Sequence, residues 1–379
     1  MQGQALPVPA AAGWPGLAAW RDQLVANPRF QRWASQFPLT RFVARRQASA
    51  LFDLGAGFVY TQILSACVQL RLFDQLRDGP LTSAALAPRL GLSTPATERL
   101  LLAAAALRLV ESRGAAGFGL GMLGASLLGN PGVTAMIAHH ALLYTDLADP
   151  VGLLRRDGGA GGMAGYWPYA GGRDPASLSA EDVAAYSALM AASNGFVADQ
   201  VLGAYPIARH RCLLDVGGGE GAFLRAAAAA APKLRLMLFD LPAVAERAGV
   251  RLAEAGLGGR ATTMGGSFFD DKLPLGFDVV SLIRVVHDHD DENVMTLLRN
   301  LRAAMPAGGT LLLAEPMAGL PGAARAADAY FGFYLLAMGT GRARTPETLC
   351  AMLRAAGFKS PKTWRTAAPM LSGLIVARA

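Results

Sequence analysis

The run Leu282-Ile283-Arg284-Val285-Val286-His287-Asp288-His289-Asp290-Asp291-Glu292 is an apolar stretch that ends in a histidine set among acids. A neutral imidazole there can take a proton from a hydroxyl group, and a nearby carboxylate can orient it. A lone histidine after a strand is more often structural. This one follows the fourth apolar run of an alternating pattern, so it falls at a strand end that faces a cleft. The His-Asp-His spacing also superficially resembles metal ligands. In an extended chain, however, His287 and His289 point to opposite faces, and no metal is expected.

A second stretch reads Leu213-Leu214-Asp215-Val216-Gly217-Gly218-Gly219-Glu220-Gly221-Ala222-Phe223. An apolar strand runs into a Gly-x-Gly-x-Gly turn and then a helix over 222–231. Glycines let the backbone approach a ligand closely at the carboxyl end of a strand, and the helix start favours negative charge. Asp240 closes the next apolar run in Phe239-Asp240-Leu241-Pro242, 25 residues after Asp215. An acid that bonds ribose hydroxyls belongs at that place. The turn lacks the six-residue dinucleotide fingerprint. Its Gly221-Ala222-Phe223 continuation fits the pattern of enzymes that use S-adenosylmethionine (SAM), in which no pyrophosphate needs cradling.

Both stretches need strands to hold them. From about Arg211 onward, short apolar runs at 212–216, 234–239, 261–264, 279–282, 310–314 and 374–377 alternate with helical ones. That alternation predicts a doubly wound α/β sheet. A helix carrying Met190, Ser193 and Asn194 leads into it.

The first half reads differently. Residues 1–45 form a helical arm, with Trp20, Leu24, Phe30 and Trp33 on one loose face interrupted at Pro28. The arm is expected to pack against the core or a second copy. A strongly apolar helix over 49–76 stops at Asp78-Gly79-Pro80. A short helix starts at Thr82-Ser83, a turn follows at Gly91-Leu92, and Ser93 or Thr94 caps a helix with Pro95 just inside it. A Gly-rich segment ending near Leu120 completes a winged-helix pattern. Its second helix offers Thr97, Glu98 and Arg99 and then leucines and alanines, which is poor equipment for phosphates or base edges. Dimerisation suits these apolar faces better, and no nucleic-acid partner is expected. The resulting division is an arm over 1–45, a winged-helix domain over 46–185 and a nucleotide-type domain over 186–379. The Gly-rich stretch 157–172, with Tyr166, Trp167 and Tyr169, reads as a flexible loop, or as a lid over an apolar ligand.

Composition bounds the rest. The chain has 379 residues, 53% hydrophobic and 17% charged, which suits two packed domains and excludes a disordered chain. The net charge of +7 has one local focus, at Arg41, Arg45 and Arg46. Cys67, Cys212 and Cys350 have no metal-ligand spacing and read as reduced thiols. No unbroken apolar run approaches the roughly 18 residues of a membrane span; 100–110 comes nearest and is broken by Arg108. A cytoplasmic protein, at most peripheral on a membrane surface, is the expectation.

With these motifs the chain resembles the small-molecule O-methyltransferases, which include plant caffeate and flavonoid enzymes and bacterial hydroxyindole and carotenoid ones. The resemblance spans nearly the whole chain. It is carried by Asp215-Val216-Gly217-Gly218-Gly219, Phe239-Asp240-Leu241-Pro242, Gly266-Ser267-Phe268-Phe269, Val286-His287-Asp288, Gly308-Gly309-Thr310 through Glu315, and Gly341-Arg342-Ala343-Arg344-Thr345. It implies a Rossmann-like α/β SAM-dependent methyltransferase domain preceded by an α-rich winged-helix dimerisation domain, and hence a homodimer.

By that resemblance His287 is the general base, flanked by Glu315, either alone or with Asp288 in addition. Asp240 binds ribose, and Asp215, Gly217, Gly219, Leu241, Ser267, Phe268 and Arg284 line the cofactor. The chain departs from the plant pattern in places. Ser267 stands where an acid near adenine is usual, Ile283 and Arg284 replace a lysine, and Ala343 replaces a second flanking acid.

Within the family the N-terminal run is most similar to carotenoid enzymes of purple bacteria. The residues are Phe30-Gln31-Arg32-Trp33-Ala34, Pro38-Leu39-Thr40-Arg41, Arg45-Arg46, Ala50-Leu51-Phe52-Asp53-Leu54 and Gly57-Phe58-Val59-Tyr60. That implies an acceptor with a tertiary hydroxyl on a hydroxylated acyclic carotenoid, of demethylspheroidene or hydroxyneurosporene type. A long polyene needs an apolar tunnel, for which Phe58, Tyr60, His140, Tyr144, Trp167, Tyr330, Phe331, Tyr334 and Met338 are candidates. The alternatives are a phenolic, polyketide, indole or bacteriochlorophyll-type acceptor, or a non-catalytic SAM-sensing regulator.

Overall fold

The computed structural model describes residues 15–166, 194–369 and 372–379. Asn27 caps the second of two short helices, α1 (Pro15–Ala26) and α2 (Pro28–Gln36), by accepting from the Arg29 and Phe30 amides, with Pro28 at the first helical position. Pro38-Leu39-Thr40 breaks the chain before α3 (Arg41–Gln69). This helix begins earlier than the apolar pattern predicted, because Phe42 to Gln47 contain no helix breaker. The division at residue 45 therefore cuts through a helix. α3 is also long and apolar enough to cross a membrane by length and composition. Gln62 and Ser65 interrupt its apolar residues, so no unbroken run marks it in the sequence. Here it packs against α2, α6 and α8.

The winged helix forms as expected. After α4 (Leu72–Gln75), α5 (Ser83–Leu90) is capped by Thr82 and ends at Gly91 in the left-handed region. α6 (Thr94–Ala106) is capped by Ser93. The wing is an antiparallel pair, β1 (Val110–Ser112) and β2 (Phe118–Leu120), with Leu81 bridging to Phe118. Cys67, Leu72, Leu76, Leu86, Leu101 and Val110 form its core. Next come α7 (Met122–Leu128), α8 (Pro131–Asp146), α9 (Pro150–Arg155) and α10 (Gly162–Tyr166). Trp167, Tyr169, Met190, Ser193 and the division at 185/186 lie outside the described residues.

The second half opens with residues 194–204, helical (α11). It continues with β3 (Cys212–Val216), α12 (Ala222–Ala230), β4 (Arg235–Asp240), α13 (Pro242–Glu254), β5 (Ala261–Gly265), β6 (Val279–Ile283), α14 (Asp291–Ala304) and β7 (Thr310–Glu315). A π-helical segment, Arg325–Phe331, leads into α15 (Gly332–Met338), then α16 (Pro346–Ala355), β8 (Lys359–Trp364) and β9 (Gly373–Arg378). The strands lie in the order β5-β4-β3-β6-β7-β9-β8. The first five are parallel, and β9 runs antiparallel to both neighbours.

Strands β3, β6 and β7 are buried at every residue, as continuous apolar runs in a two-faced sheet should be. Period-2 alternation splits them between two cores. Leu213 packs with Val197, Val201 and Leu224 on one face, while Leu214, Val280 and Leu311 pack with Val294, Leu297 and Leu353 on the other. Because the chain turns one way from β3 to β4 and the other way to β6, the carboxyl ends of β3 and β6 border a switch-point crevice. β8 was not foreseen. Its sequence, Lys-Ser-Pro-Lys-Thr-Trp, is polar, contains proline and suits an edge strand.

Candidate active site

Asp215 is the penultimate residue of β3 and Asp240 the last of β4, and both are buried. The Gly217 amide continues the ladder to the Phe239 carbonyl at 2.8 Å, and the Gly219 amide then donates to Asp240 Oδ2 at 2.8 Å. Gly217 and Gly219 sit at φ +68° and +56°, and a Cβ on Gly217 would press on Val285 at 2.7 Å. Glycine is what lets this turn form. Asp240 Oδ1 accepts from the Leu241 amide at 2.7 Å. Two of the roughly four acceptor sites of this carboxylate are thus spent on backbone, and the others are free for a diol such as ribose.

Ser281 donates to Asp215 Oδ1 at 2.6 Å, but the buried Asp215 Oδ2 meets no donor among the described residues. Burial pushes Asp215 up to about 7 and Asp240 up to about 6. A cationic ligand with hydroxyl groups would satisfy both acids. SAM, with its ammonium, sulfonium and ribose, fits this donor and acceptor set.

The loop after β5 leaves beside Asp240, whose carbonyl accepts from the Gly266 amide at 2.9 Å. The Ser267 hydroxyl turns back to Asp270 Oδ2 at 2.8 Å and caps its own turn. Phe268 packs edge-on against Phe269 and His289, with ring centroids 4.6 and 5.6 Å away. Of the residues expected around the cofactor, Asp215, Gly217, Gly219, Asp240 and Leu241 therefore form one constellation. The side chains of Ser267 and Phe268 are occupied with their neighbours.

The catalytic stretch assembles on the other side of the crevice. Arg284 follows β6 in the left-handed region at φ +59°, a strained place for a residue other than glycine. Its amide donates to the Ala314 carbonyl, and its guanidinium reaches Asn194 Oδ1 at 3.5 Å. That bend turns the chain so that the Val285 and Val286 amides both donate to Glu315 Oε1, at 3.0 and 2.7 Å. Glu315 Oε2 lies 2.6 Å from His287 Nδ1. One carboxylate thus fixes the loop and the ring together.

Asp288 Oδ1 lies 3.1 Å from His287 Nε2 but without hydrogen-bond geometry, so it acts on the ring as a charge. Burial opposes the imidazolium, yet the Asp288 and Glu315 carboxylates outweigh it and raise the His287 pKa. Asp288 itself is pushed up to about 6, chiefly by burial.

The raised pKa sets the pH dependence of any base chemistry. A base must be neutral, so the rate climbs with pH and its acid-side midpoint lies above the ordinary histidine value of about 6.5. Glu315→Gln removes one raising charge, and the midpoint should move to lower pH. Losing the charge-assisted bond should also cost about 10- to 100-fold in kcat, at about 1.5–3 kcal/mol. A pH–rate profile of the variant with an unmoved midpoint would show that Glu315 does not tune the ring.

An outer clamp was not assigned from sequence. The buried Arg344 donates from Nη1 to the Val286 carbonyl at 2.9 Å, from Nη2 to the His289 carbonyl at 2.7 Å and from Nε to Asp291 at 2.9 Å. Arg342 also pairs with Asp291, and its amide donates to the His287 carbonyl at 2.9 Å. Gly341, at φ +79°, lies so close that a Cβ would run into that same carbonyl oxygen. The acid at Asp291 and two arginines some fifty residues on were the only sequence signal.

Phe331 meets the His287 ring edge-on at 5.8 Å and closes the site with an apolar wall. Behind it, His140 Nε2 and Tyr330 Oη are 2.8 Å apart, as are His139 Nε2 and Tyr334 Oη. These pairs join α8 to the wall. Of the tunnel candidates, His140, Tyr144, Tyr330, Phe331 and Tyr334 gather here, and Met338 is core. Phe58 instead faces outward, 71% exposed on α3, and Tyr60 lies on the same helix beside Asp53. A groove of about 680 Å³ runs from Ala50 and Leu54 of α3 past Leu143 to Tyr330 and Phe333.

Residues 144–359 match the family model described as the O-methyltransferase domain, and residues 52–130 match the O-methyltransferase dimerisation domain. The chain is 44% identical over 369 residues to the demethylspheroidene O-methyltransferase of Cereibacter sphaeroides, covering 97% of each. It is 40% identical to that of Rhodobacter capsulatus, over 97% of this chain and 91% of the other. The structure of human N-acetylserotonin methyltransferase in complex with SAM superposes with a TM-score of 0.72 at 25% identity, over 88% of this chain and 97% of that one.

Proposed function

This chain belongs to the O-methyltransferase family, and from that premise we propose that its acceptor is the tertiary hydroxyl of a hydroxylated acyclic carotenoid of the demethylspheroidene type. The chain is a SAM-dependent enzyme of carotenoid biosynthesis whose dimerisation domain makes it a homodimer. The activity rests on one observation above all: His287, buried under Phe331, with Nδ1 held by Glu315. The acceptor rests on the near full-length likeness to relatives named for demethylspheroidene. The groove beside Tyr330, with its leucines, suits a long apolar chain. Retention of the His287–Glu315 pair speaks against a non-catalytic regulator. Because such an acceptor resides in lipid, the enzyme works at the cytoplasmic face of the inner, photosynthetic membrane.

SAM, when bound, supplies a methyl group on a sulfonium, whose positive charge disappears on transfer. The apolar wall around His287 favours that loss of charge by excluding water. With Nδ1–H donated to Glu315, Nε2 is the free acceptor of the ring. A tertiary alcohol is too weak an acid to ionise first, so Nε2 takes the hydroxyl proton as the new C–O bond forms. Holding the hydroxyl in line accounts for up to roughly 7–11 kcal/mol of the barrier.

Incubation of the purified protein with SAM and a detergent-dispersed hydroxycarotenoid should give a product heavier by one methylene, by mass spectrometry. If SAM binds and no methylated carotenoid forms, the acceptor is another alcohol or a phenol.

A further inference from the structure

Residues 15–46 carry a surface that the reaction does not use. The segment holds six arginines, at 21, 29, 32, 41, 45 and 46, against the single acid Asp22, a net of +5 out of the +7 of the whole chain. Arg21 pairs with Asp22; among the described residues the other five make no ion pair. Apolar side chains alternate with these cations. Trp20, Trp33, Leu39 and Phe42 are 62%, 51%, 82% and 72% exposed. Phe30 and Trp33 of α2 and Phe37 at its C-cap form a row of rings, with centroids 5.6 and 4.9 Å apart. The only buried residue of that helix is Ala34.

Aromatic rings flanked by arginines on short helices are the chemistry of an anionic bilayer surface. The guanidinium groups reach lipid phosphates, and tryptophan rings settle at the headgroup boundary. A second copy of the chain is a poorer occupant. A two-fold contact through this segment would set a net +5 against a net +5, the single acid of each copy already counted. The apolar stretch that suits a second copy is the one from Phe52 to Val59, inside the dimerisation match, which begins at residue 52.

We propose that residues 15–46 are a membrane-docking surface that seats the enzyme on anionic phospholipid. Docking there sets the α3 groove, which starts at Ala50, against the bilayer, and Tyr330 and Phe331 lead from it to His287. The purpose of this surface rests on the carotenoid reading; its test does not.

The full-length protein should co-sediment with phosphatidylglycerol-containing vesicles at low salt and detach from pure phosphatidylcholine vesicles or at high salt. Arg41→Gln/Arg45→Gln/Arg46→Gln should weaken that binding about 100-fold, and Trp33→Ser/Phe42→Ser should weaken it too. Unchanged SAM binding and unchanged dimer mass by light scattering would show that both variants fold. Absent wild-type binding, or variants that sediment like the wild type, would overturn the proposal. So would variants that fall to monomers, because the segment would then serve the dimer. With acceptor in detergent the variants should turn over normally, and with acceptor in vesicles they should lose turnover. A wild type that binds vesicles yet leaves the carotenoid unmethylated in detergent would sink the acceptor reading and leave the docking surface standing.

Discussion

His287→Ala should lower kcat by about 10²–10⁴-fold and leave the dissociation constant for SAM unchanged. Both halves follow from placement. Nε2 is the free nitrogen of a ring whose other nitrogen is fixed by Glu315, so its removal deletes the proton acceptor. Asp215, the glycine turn and Asp240 belong to β3 and β4, and none of their hydrogen bonds involves His287. Alignment of the acceptor survives, which is why the loss stays within general-base magnitudes. Glu315 would keep the Val285 and Val286 amides on Oε1 but lose its partner on Oε2, at a stability cost of about 1–3 kcal/mol. Single-turnover kinetics on SAM-saturated protein separate the two effects. A rate within threefold of wild type would remove His287 from the chemistry.

The second large effect is expected at Asp240. Asp240→Ala should raise the SAM dissociation constant by about 10- to 100-fold, the loss of one or two charge-assisted bonds. The carboxylate accepts the Gly219 and Leu241 amides, so it shapes the glycine turn as well as facing the crevice. Asp240→Asn keeps one carbonyl acceptor and should bind SAM between the two. At saturating SAM, kcat should fall less than affinity. Calorimetric titration returning the wild-type constant for Asp240→Ala would refute the ribose assignment.

What was legible in sequence was what repeats locally. Strands β3, β6 and β7 are unbroken apolar runs because both faces of the sheet are covered, and they stand out without any structure. The caps Thr82 and Ser93 mark their helices by residue type. Asp215 and Asp240 sit at strand ends and His287 in the turn that follows one, where position along the chain already implies position in the crevice. Glu315 needed the family resemblance, since only the adjacency of β6 and β7 brings it to His287. Arg344 escaped because two of its partners are carbonyls, which carry no residue signature, and the third, Asp291, lies 53 residues away in sequence. Phe58 misled because an aromatic residue in an apolar helix looks the same whether it lines a tunnel or faces outward.

The His140–Tyr330 and His139–Tyr334 pairs span 190 and 195 residues of chain, and α8 brings its histidines to them from outside the sheet. Burial holds His139 down at about 4 and lowers His140, so both rings stay neutral at ordinary pH and the seam carries no charge. In terms of descent, this divides the heritable material of the enzyme. Changes in α8 can reshape the wall above the base while the strand ends that hold the methyl donor pass on unaltered. A lineage can therefore explore new alcohols by drift in one helix without rebuilding its methyl-transfer chemistry.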